Sequence, residues 1–152
     1  MGEMRIRAEE PRDAAAIEGV LDAAFGPGRF AKTSERVRER ARHELDWSRV
    51  AERDACVIGC CRMWRARLGR EDCAFLGPLA VSAEARMRGL GRSLARAAVE
   101  AVEAAEGSGL PIVVVGPEAF FAPLGFVRAR PGEVVMPGPT DPARLLVRRP
   151  GG

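Results

Sequence analysis

The sequence contains no tyrosine, asparagine or glutamine among its 152 residues, and Lys32 is the only lysine among 24 basic residues. Aromatic residues are also scarce, at 5% of the chain. No phenol and no side-chain amide is therefore available for chemistry, and arginine carries almost all of the positive charge. A coding bias toward alanine, arginine, glycine and proline is the simplest explanation of these absences.

Long apolar runs are absent as well. No segment approaches the ~18 consecutive apolar residues of a membrane span, and the first residues show no apolar signal core. The sequence thus predicts a cytoplasmic protein with no membrane partner. The formal net charge is only +3, and basic residues alternate with acidic ones, as in residues 35–40. This mixing favours a solvated helix face, and we predict no nucleic-acid partner.

The four cysteines lack the paired spacing of zinc ribbons. They are Cys56, Cys60, Cys61 and Cys73, and all lie in apolar, strand-like segments. The only histidine, His43, is distant in sequence. We therefore predict small buried thiols in a reducing compartment and no metal site.

Length and patterning predict one domain over residues 1–152. Strands are predicted at 5–7, at 49–52 together with 55–58, and at 60–67, 73–81, 112–115, 127–130, 133–136 and 145–148. Helices are predicted at 11–24, 34–47, 89–106 and 118–122. Because proline cannot donate to a strand ladder, Gly77-Pro78 predicts an irregularity in the strand at 73–81.

The segment from Leu79 to Arg92 has the pattern of an anion site. A strand ends at Val81, and residues 86–91 (RMRGLG) then open the long helix. The first turn of a helix leaves N–H groups unpaired, and the helix dipole adds partial positive charge. Glycines let a diphosphate approach the main chain, and arginines add charge. The pattern is neither a Rossmann fingerprint nor a Walker loop, and a turn that merely starts a helix is the alternative.

Residues 76–81 (LGPLAV), followed by Arg86-x-x-Gly89-x-Gly91, resemble the acetyl-CoA signature of the GNAT N-acyltransferases. Residues 113–116 (VVVG) and 119–126 (AFFAPLGF) are similar to the next strand of that family and to its "YYxxFGF"-type ending. The resemblance covers nearly the whole chain and is strongest between Leu76 and Phe126.

The resemblance implies an α/β (α+β) fold with a central, mostly antiparallel mixed sheet that is splayed at a cofactor slot and flanked by about four helices. It also implies the reaction, transfer of an acetyl group from acetyl-CoA to a small-molecule or peptide amine. A homodimer formed through sheet or strand-edge pairing is common in proteins of this resemblance, and the sequence leaves the oligomeric state open. The implied cofactor-binding residues are Leu79, Ala80, Val81, Arg86, Met87, Arg88, Gly89, Leu90, Gly91, Arg92 and Phe121. The pantetheine would pair with the main chain of 79–81, and the pyrophosphate would bind the amides of 87–92.

The catalytic residues are not assigned by the resemblance. Phe121 stands where many members have the tyrosine that protonates the leaving thiolate, and phenylalanine has no proton to give. An alkylamine of pKa ~10.4 is neutral in about one molecule in 2,500 at pH 7, so a base or a water chain is also needed. The candidate bases are Glu71, Asp72, Glu52, His43 and Glu44. The missing acid keeps an alternative open, an acyl-CoA-binding or sensing domain with little transfer activity.

Overall fold

Eight strands in one sheet and four flanking α-helices make up the regular structure of residues 3–106 and 109–150, which the computed structural model describes. The strands are β1 Met4–Ala8, β2 Arg42–His43, β3 Arg49–Arg53, β4 Cys56–Arg67, β5 Asp72–Val81, β6 Ile112–Val115, β7 Val127–Arg128 and β8 Leu145–Arg148. The helices are α1 Ala14–Phe25, α2 Thr33–Glu39, α3 Leu90–Glu106 and α4 Glu118–Phe121.

The strand order is β1-β3-β4-β5-β6-β8-β7, and β2 pairs with β4 outside this path. Among these strands β5 and β6 pair in parallel, whereas the other pairings are antiparallel. The predicted fold class, a mostly antiparallel mixed sheet flanked by about four helices, is confirmed.

Helices pack on both faces of the sheet. The buried stripe of α3 recurs every four residues, as an amphipathic helix requires: Leu90, Leu94, Ala98 and Val102. This stripe shares its core with Cys61 of β4, whereas Ile17 and Leu21 of α1 pack with Cys60. Because neighbouring side chains of a strand point to opposite faces, α1 and α3 lie on opposite sides of the sheet.

The predicted helix over residues 34–47 is wrong beyond Glu39. The chain instead forms β2, in which Arg42 and His43 pair with Arg65 and Trp64 of β4. The His43 ring also stacks on the Trp64 ring, with centroids 4.7 Å apart. These tertiary contacts outweigh the local helical pattern, in which Val37, Ala41 and Leu45 form only a narrow apolar stripe.

Two strand predictions are also corrected. Residues 56–58 belong to β4 rather than to the strand before it, because Asp54 and Ala55 adopt positive φ and turn the chain at that point. Residues 133–136 form turns and irregular structure, and β8 pairs with β6 and β7 without them. The remaining predicted helices and strands are present; β6 and β8 have the predicted bounds, and the others have shifted ends.

The predicted irregularity at Gly77-Pro78 is a β-bulge. Cys61 pairs with Leu79 and Met63 pairs with Leu76, so two residues of β5 lie opposite Arg62 alone. Gly77 adopts a φ of +136°, a conformation that side chains other than hydrogen rarely allow. The indole Nε1 of Trp64 donates to the carbonyl oxygen of Gly77 at 2.6 Å, which holds the bulge in place.

The sheet splits next to this bulge. The pairing of β5 with β6 comprises only Ala74 with Ile112 and Phe75 with Val113. Beyond these pairs β5 continues to Val81 and β6 to Val115 without pairing to each other. The predicted splay between two central strands is therefore present.

Candidate functional site

A cavity of about 1000 Å³ lies at the split between β5 and β6. One wall is formed by residues 76–79 of β5 and another by residues 114–117, at the end of β6. Residues 29–35, around the start of α2, and residues 139–141 also line it, together with side chains from α1, α2, β4 and α4. We call this space the larger cavity.

The main chain of Leu79 faces the split. Beyond the bulge, the amide of Ser82 donates to the carbonyl oxygen of Ile58 at 2.8 Å, and the register places Ala80 opposite Cys60. Because N–H and C=O groups alternate in direction along an antiparallel ladder, Ala80 and Ser82 direct theirs toward β4. Leu79 and Val81 direct theirs to the other side, toward β6. An extended ligand in the split would thus meet a strand edge.

A second space of about 480 Å³, the smaller cavity, lies at the start of α3. Its lining residues come from the end of β5, the first two turns of α3 and α4: Val81, Gly89, Gly91, Arg92, Ser93, Arg96 and Phe120. A Cβ at Gly89 would meet nothing within 4 Å, whereas one at Gly91 would make ordinary van der Waals contact with Val81 Cγ2 at 3.7 Å and Phe120 Cζ at 3.9 Å. Exposed N–H groups at a helix start beside arginines favour an anion here.

Two phenylalanines of α4 stand between these spaces. Phe120 lines both cavities, and the guanidinium carbon of Arg92 lies 5.6 Å from the centre of its ring. Phe121 lines the larger cavity and packs edge-to-face against Phe120 and Phe126, with ring centroids 4.8 and 5.4 Å away. Neither ring carries an ionisable proton, so neither can act as a general acid. Phe120 was not among the predicted site residues, although its place beside Phe121 pointed to it.

The predicted cofactor-binding residues fall into four groups. Leu79 and Phe121 line the larger cavity, whereas Val81, Gly89, Gly91 and Arg92 line the smaller one. Ala80 and Leu90 are buried in the two cores on either side of the sheet. The side chains of Arg86, Met87 and Arg88 lie outside the described structure. Their backbone forms part of the 3-10 turn Ala83–Arg88.

Two arginines that line the larger cavity, Arg62 and Arg38, were not predicted from the sequence. Arg62 of β4 donates from Nε and Nη2 to the two carboxylate oxygens of Glu9, at 3.2 and 3.1 Å. Glu9 is 4% exposed, and His43 Nε2 lies 3.2 Å from its Oε1. A lone arginine inside the apolar run of residues 56–64 was the available signal, because charged residues enter such runs only when they are paired.

Arg38 of α2 lies beside the bulge of β5. Its Nη1 is 3.6 Å from the position that a Cβ of Gly77 would occupy, and its Nη2 donates to Glu35 Oε2 at 3.1 Å. Burial lowers the pKa of Arg38 more than the carboxylate of Glu35 raises it, and the charges of Arg29 and Arg62 act in the same direction as burial. Several cationic groups therefore crowd this wall of the larger cavity.

The five candidate bases lie elsewhere than in the described lining of either cavity. Glu44, Glu52 and Asp72 form ion pairs with arginines, and His43 contacts Glu9. Glu71 is exposed. The carboxylates that do line the larger cavity are Glu18, Glu35, Glu39 and Asp141.

The cysteines are mostly structural. Cys60, Cys61 and Cys73 are buried, as predicted, and burial raises the pKa of Cys60 to about 12 and of Cys73 to about 11. The prediction is wrong for Cys56, which is exposed at the start of β4. In the described part of the chain, no group of three or more His, Cys, Asp or Glu side chains is placed to hold a metal ion. None of the helices described has the length and apolar character needed to span a bilayer.

The mixed sheet, split beside the start of α3, is the arrangement that the GNAT resemblance implied, and comparisons with known proteins identify the family. The model of the Acetyltransferase (GNAT) family matches residues 15–129. This protein belongs to that family. A comparison with curated proteins gives no match.

Solved structures give the same result. The GNAT family N-acetyltransferase YhbS of Escherichia coli, in complex with CoA, is 26% identical with a TM-score of 0.71, and the match covers 98% of this chain and 82% of that one. A GNAT family acetyltransferase of Brucella melitensis, in complex with acetyl-CoA, is 26% identical with a TM-score of 0.65, and 96% of each chain is covered. N-acetylglutamate synthase of Neisseria gonorrhoeae, complexed with CoA and L-arginine, is 21% identical with a TM-score of 0.64. That match covers 100% of this chain and 34% of the synthase, and it concerns the fold alone.

Proposed function

We propose that this protein transfers the acetyl group of acetyl-CoA to a primary amine by direct attack. The observation that carries the proposal is the split between β5 and β6, where the main chain of Leu79 faces the larger cavity, and Gly89 and Gly91 at the start of α3 border the smaller one. The two relatives that are 26% identical support the choice of ligand, since both were crystallised with CoA or acetyl-CoA.

The residues present fit such a ligand. The pantetheine arm would pair with the strand edge at Leu79, and the pyrophosphate would lie at the start of α3 beside Gly91 and Arg92. Phe120 would separate the two parts of the site, since it lines both cavities. When bound, acetyl-CoA supplies an activated thioester at the bulge of β5.

The chemistry needs placement of the neutral amine against the thioester and an acceptor for its proton. The amine nitrogen forms a bond to the thioester carbonyl carbon, the carbon–sulfur bond breaks, and CoA leaves as a thiolate. Because a thiol has a pKa near ~8.5, its anion leaves tolerably without the acid that Phe121 cannot supply. The proton released by the amine goes to water or to a lining carboxylate.

Ligand binding tests the first half of the proposal. At a hundredfold excess over Kd, acetyl-CoA stabilises the folded state by about 2.7 kcal/mol. For a chain of this size we expect Tm to rise by roughly 5–10 °C. Gly91→Glu places a carboxylate in the smaller cavity and should remove this rise. Gly19→Glu is the matched control, because Gly19 is an exposed helical position with nothing within 4 Å of its Cβ position.

Thiol release tests the second half. Amine-dependent release of CoA, measured over a panel of primary amines, is the expected result. If Tm rises with acetyl-CoA but no amine increases the release, the acyl-CoA-binding alternative replaces the transferase. No rise at millimolar acetyl-CoA would contradict both.

A further inference from the structure

We propose that the acceptor amine also carries a carboxylate close to its amino group, and that Arg38 and Arg62 bind that carboxylate. This inference rests on the proposed function, because it names the substrate class of the same site. Both arginines line the larger cavity, from α2 and β4 respectively. Their side chains are each only 12% exposed.

Arg62 is held by a carboxylate that is not part of the described lining of the larger cavity. This carboxylate belongs to Glu9 and binds Nε and Nη2 of Arg62. A guanidinium has five N–H donors in a rigid fork, so the Nη1 group remains available to the cavity. The pairing with Glu9 also stabilises the buried charge and fixes its direction.

Arg38 keeps more of its donors. Within the described structure, the hydrogen bond from Nη2 to Glu35 is the one its side chain forms. Nη1 and Nε are thus left for a ligand. Burial, together with the neighbouring charges of Arg29 and Arg62, lowers the pKa of Arg38, and an anion in the cavity would relieve this cost.

The carboxylates of the larger cavity are poorly placed to bind a polycationic acceptor. Glu18 is bound by Arg29, Glu35 by Arg38, and Glu39 by Arg36 outside the cavity. The fourth, Asp141, is exposed and accepts the amide N–H of Ala143. A polyamine would have to break several of these ion pairs, whereas a carboxylate would add to them.

The position of Arg38 limits the distance between the two groups of the acceptor. Its Nη1 lies 3.6 Å from the Cβ position of Gly77, in the bulge where the proposed function places the thioester. A carboxylate bound there lies within a few bonds of the attacking nitrogen. The substrate class is therefore a compact amino acid, not a long polyamine or an amine without an acidic group.

Calorimetric titration of the CoA-loaded protein tests this class without requiring turnover. The probes are glycine, alanine, serine, aspartate, glutamate and phenylalanine, each beside its primary α-amide, with spermidine as the polycation. Loss of charge-assisted hydrogen bonds to a carboxylate is worth roughly ten- to hundredfold in affinity. We expect at least one acid to bind that much more tightly than its amide, and more tightly than spermidine.

Substitution of Arg38 links the preference to the site. Arg38→Gln should bring the acid to parity with its amide, and Arg38→Lys should retain part of the preference. Arg40→Gln is the control, since Arg40 is exposed at the end of α2, and it should change nothing. The rise in Tm with acetyl-CoA shows that each variant is folded.

Three results would overturn the inference: no acid in the panel binds, amides bind as tightly as acids, or the preference survives Arg38→Gln. Amine-dependent release of CoA in any of these cases would leave the proposed function standing. Failure of acetyl-CoA to raise Tm would instead remove the proposed function itself.

Discussion

Glu9→Gln is the substitution whose effect on stability is best defined by the structure. It removes one negative charge from a carboxylate that is 4% exposed and that binds both Nε and Nη2 of Arg62. Breaking one side of a buried ion pair leaves the other charge uncompensated, which typically costs 3–5 kcal/mol. Because the glutamine oxygen still accepts one hydrogen bond, we expect a loss of about 3 kcal/mol in the free energy of unfolding.

The loss should depend on pH. Burial raises the pKa of Glu9, but hydrogen bonds and charges from His43 and Arg62 outweigh it and hold the pKa below its usual range. A carboxyl whose pKa is lowered on folding contributes stability above its unfolded pKa of about 4.3, and that contribution fades as pH falls through the folded value. The difference between the wild type and Glu9→Gln should therefore be full at pH 7 and should shrink below about pH 4.

Urea unfolding at pH 7 and at pH 3–4 measures both effects. Glu118→Gln is the matched control, because the Glu118–Arg128 pair has side chains 44% and 60% exposed and contributes less than about 1 kcal/mol. A loss below about 1 kcal/mol for Glu9→Gln, or a loss that is the same at both pH values, would refute the assigned ion pair.

Two further predictions concern packing and thiol exposure. A Cβ at Gly116 would lie 2.5 Å from Phe121 Cε2, so Gly116→Ala should lower the free energy of unfolding by about 1–3 kcal/mol. Gly28→Ala is the control: its Cβ would meet nothing within 4 Å, and the free energy of unfolding should change by less than about 0.5 kcal/mol. Equal urea midpoints for the two variants would contradict this packing. Ellman titration of the native protein should modify Cys56 alone, and denaturant should raise the count to four, because burial raises the pKa of thiols such as Cys60. More than one rapidly reacting thiol in the native state would show that the buried cysteines are accessible.

Local features of the sequence were sufficient for much of the fold. The four-residue spacing of Leu90, Leu94, Ala98 and Val102 predicted α3, and Pro78 predicted the bulge in β5. The helix and the bulge both depend on interactions between residues that are close in sequence, and such interactions can be predicted from the sequence alone. The pattern failed at residues 42–43, where pairing with β4 decided the structure.

The arginine-lined wall of the larger cavity could not be predicted from the sequence, because only the tertiary structure brings its residues together. Glu9 and Arg62 are 53 residues apart in sequence, and Arg38 reaches a bulge that begins 39 positions further along the chain. No periodicity or motif encodes such contacts, because they arise only when strands and helices distant in sequence pack together. The absence of tyrosine was readable from the sequence, and the resemblance to the GNAT family predicted that Phe121 stands at the position of the family's acid. Which charged groups line the larger cavity was decided by packing, since burial and pairing are properties of the folded chain.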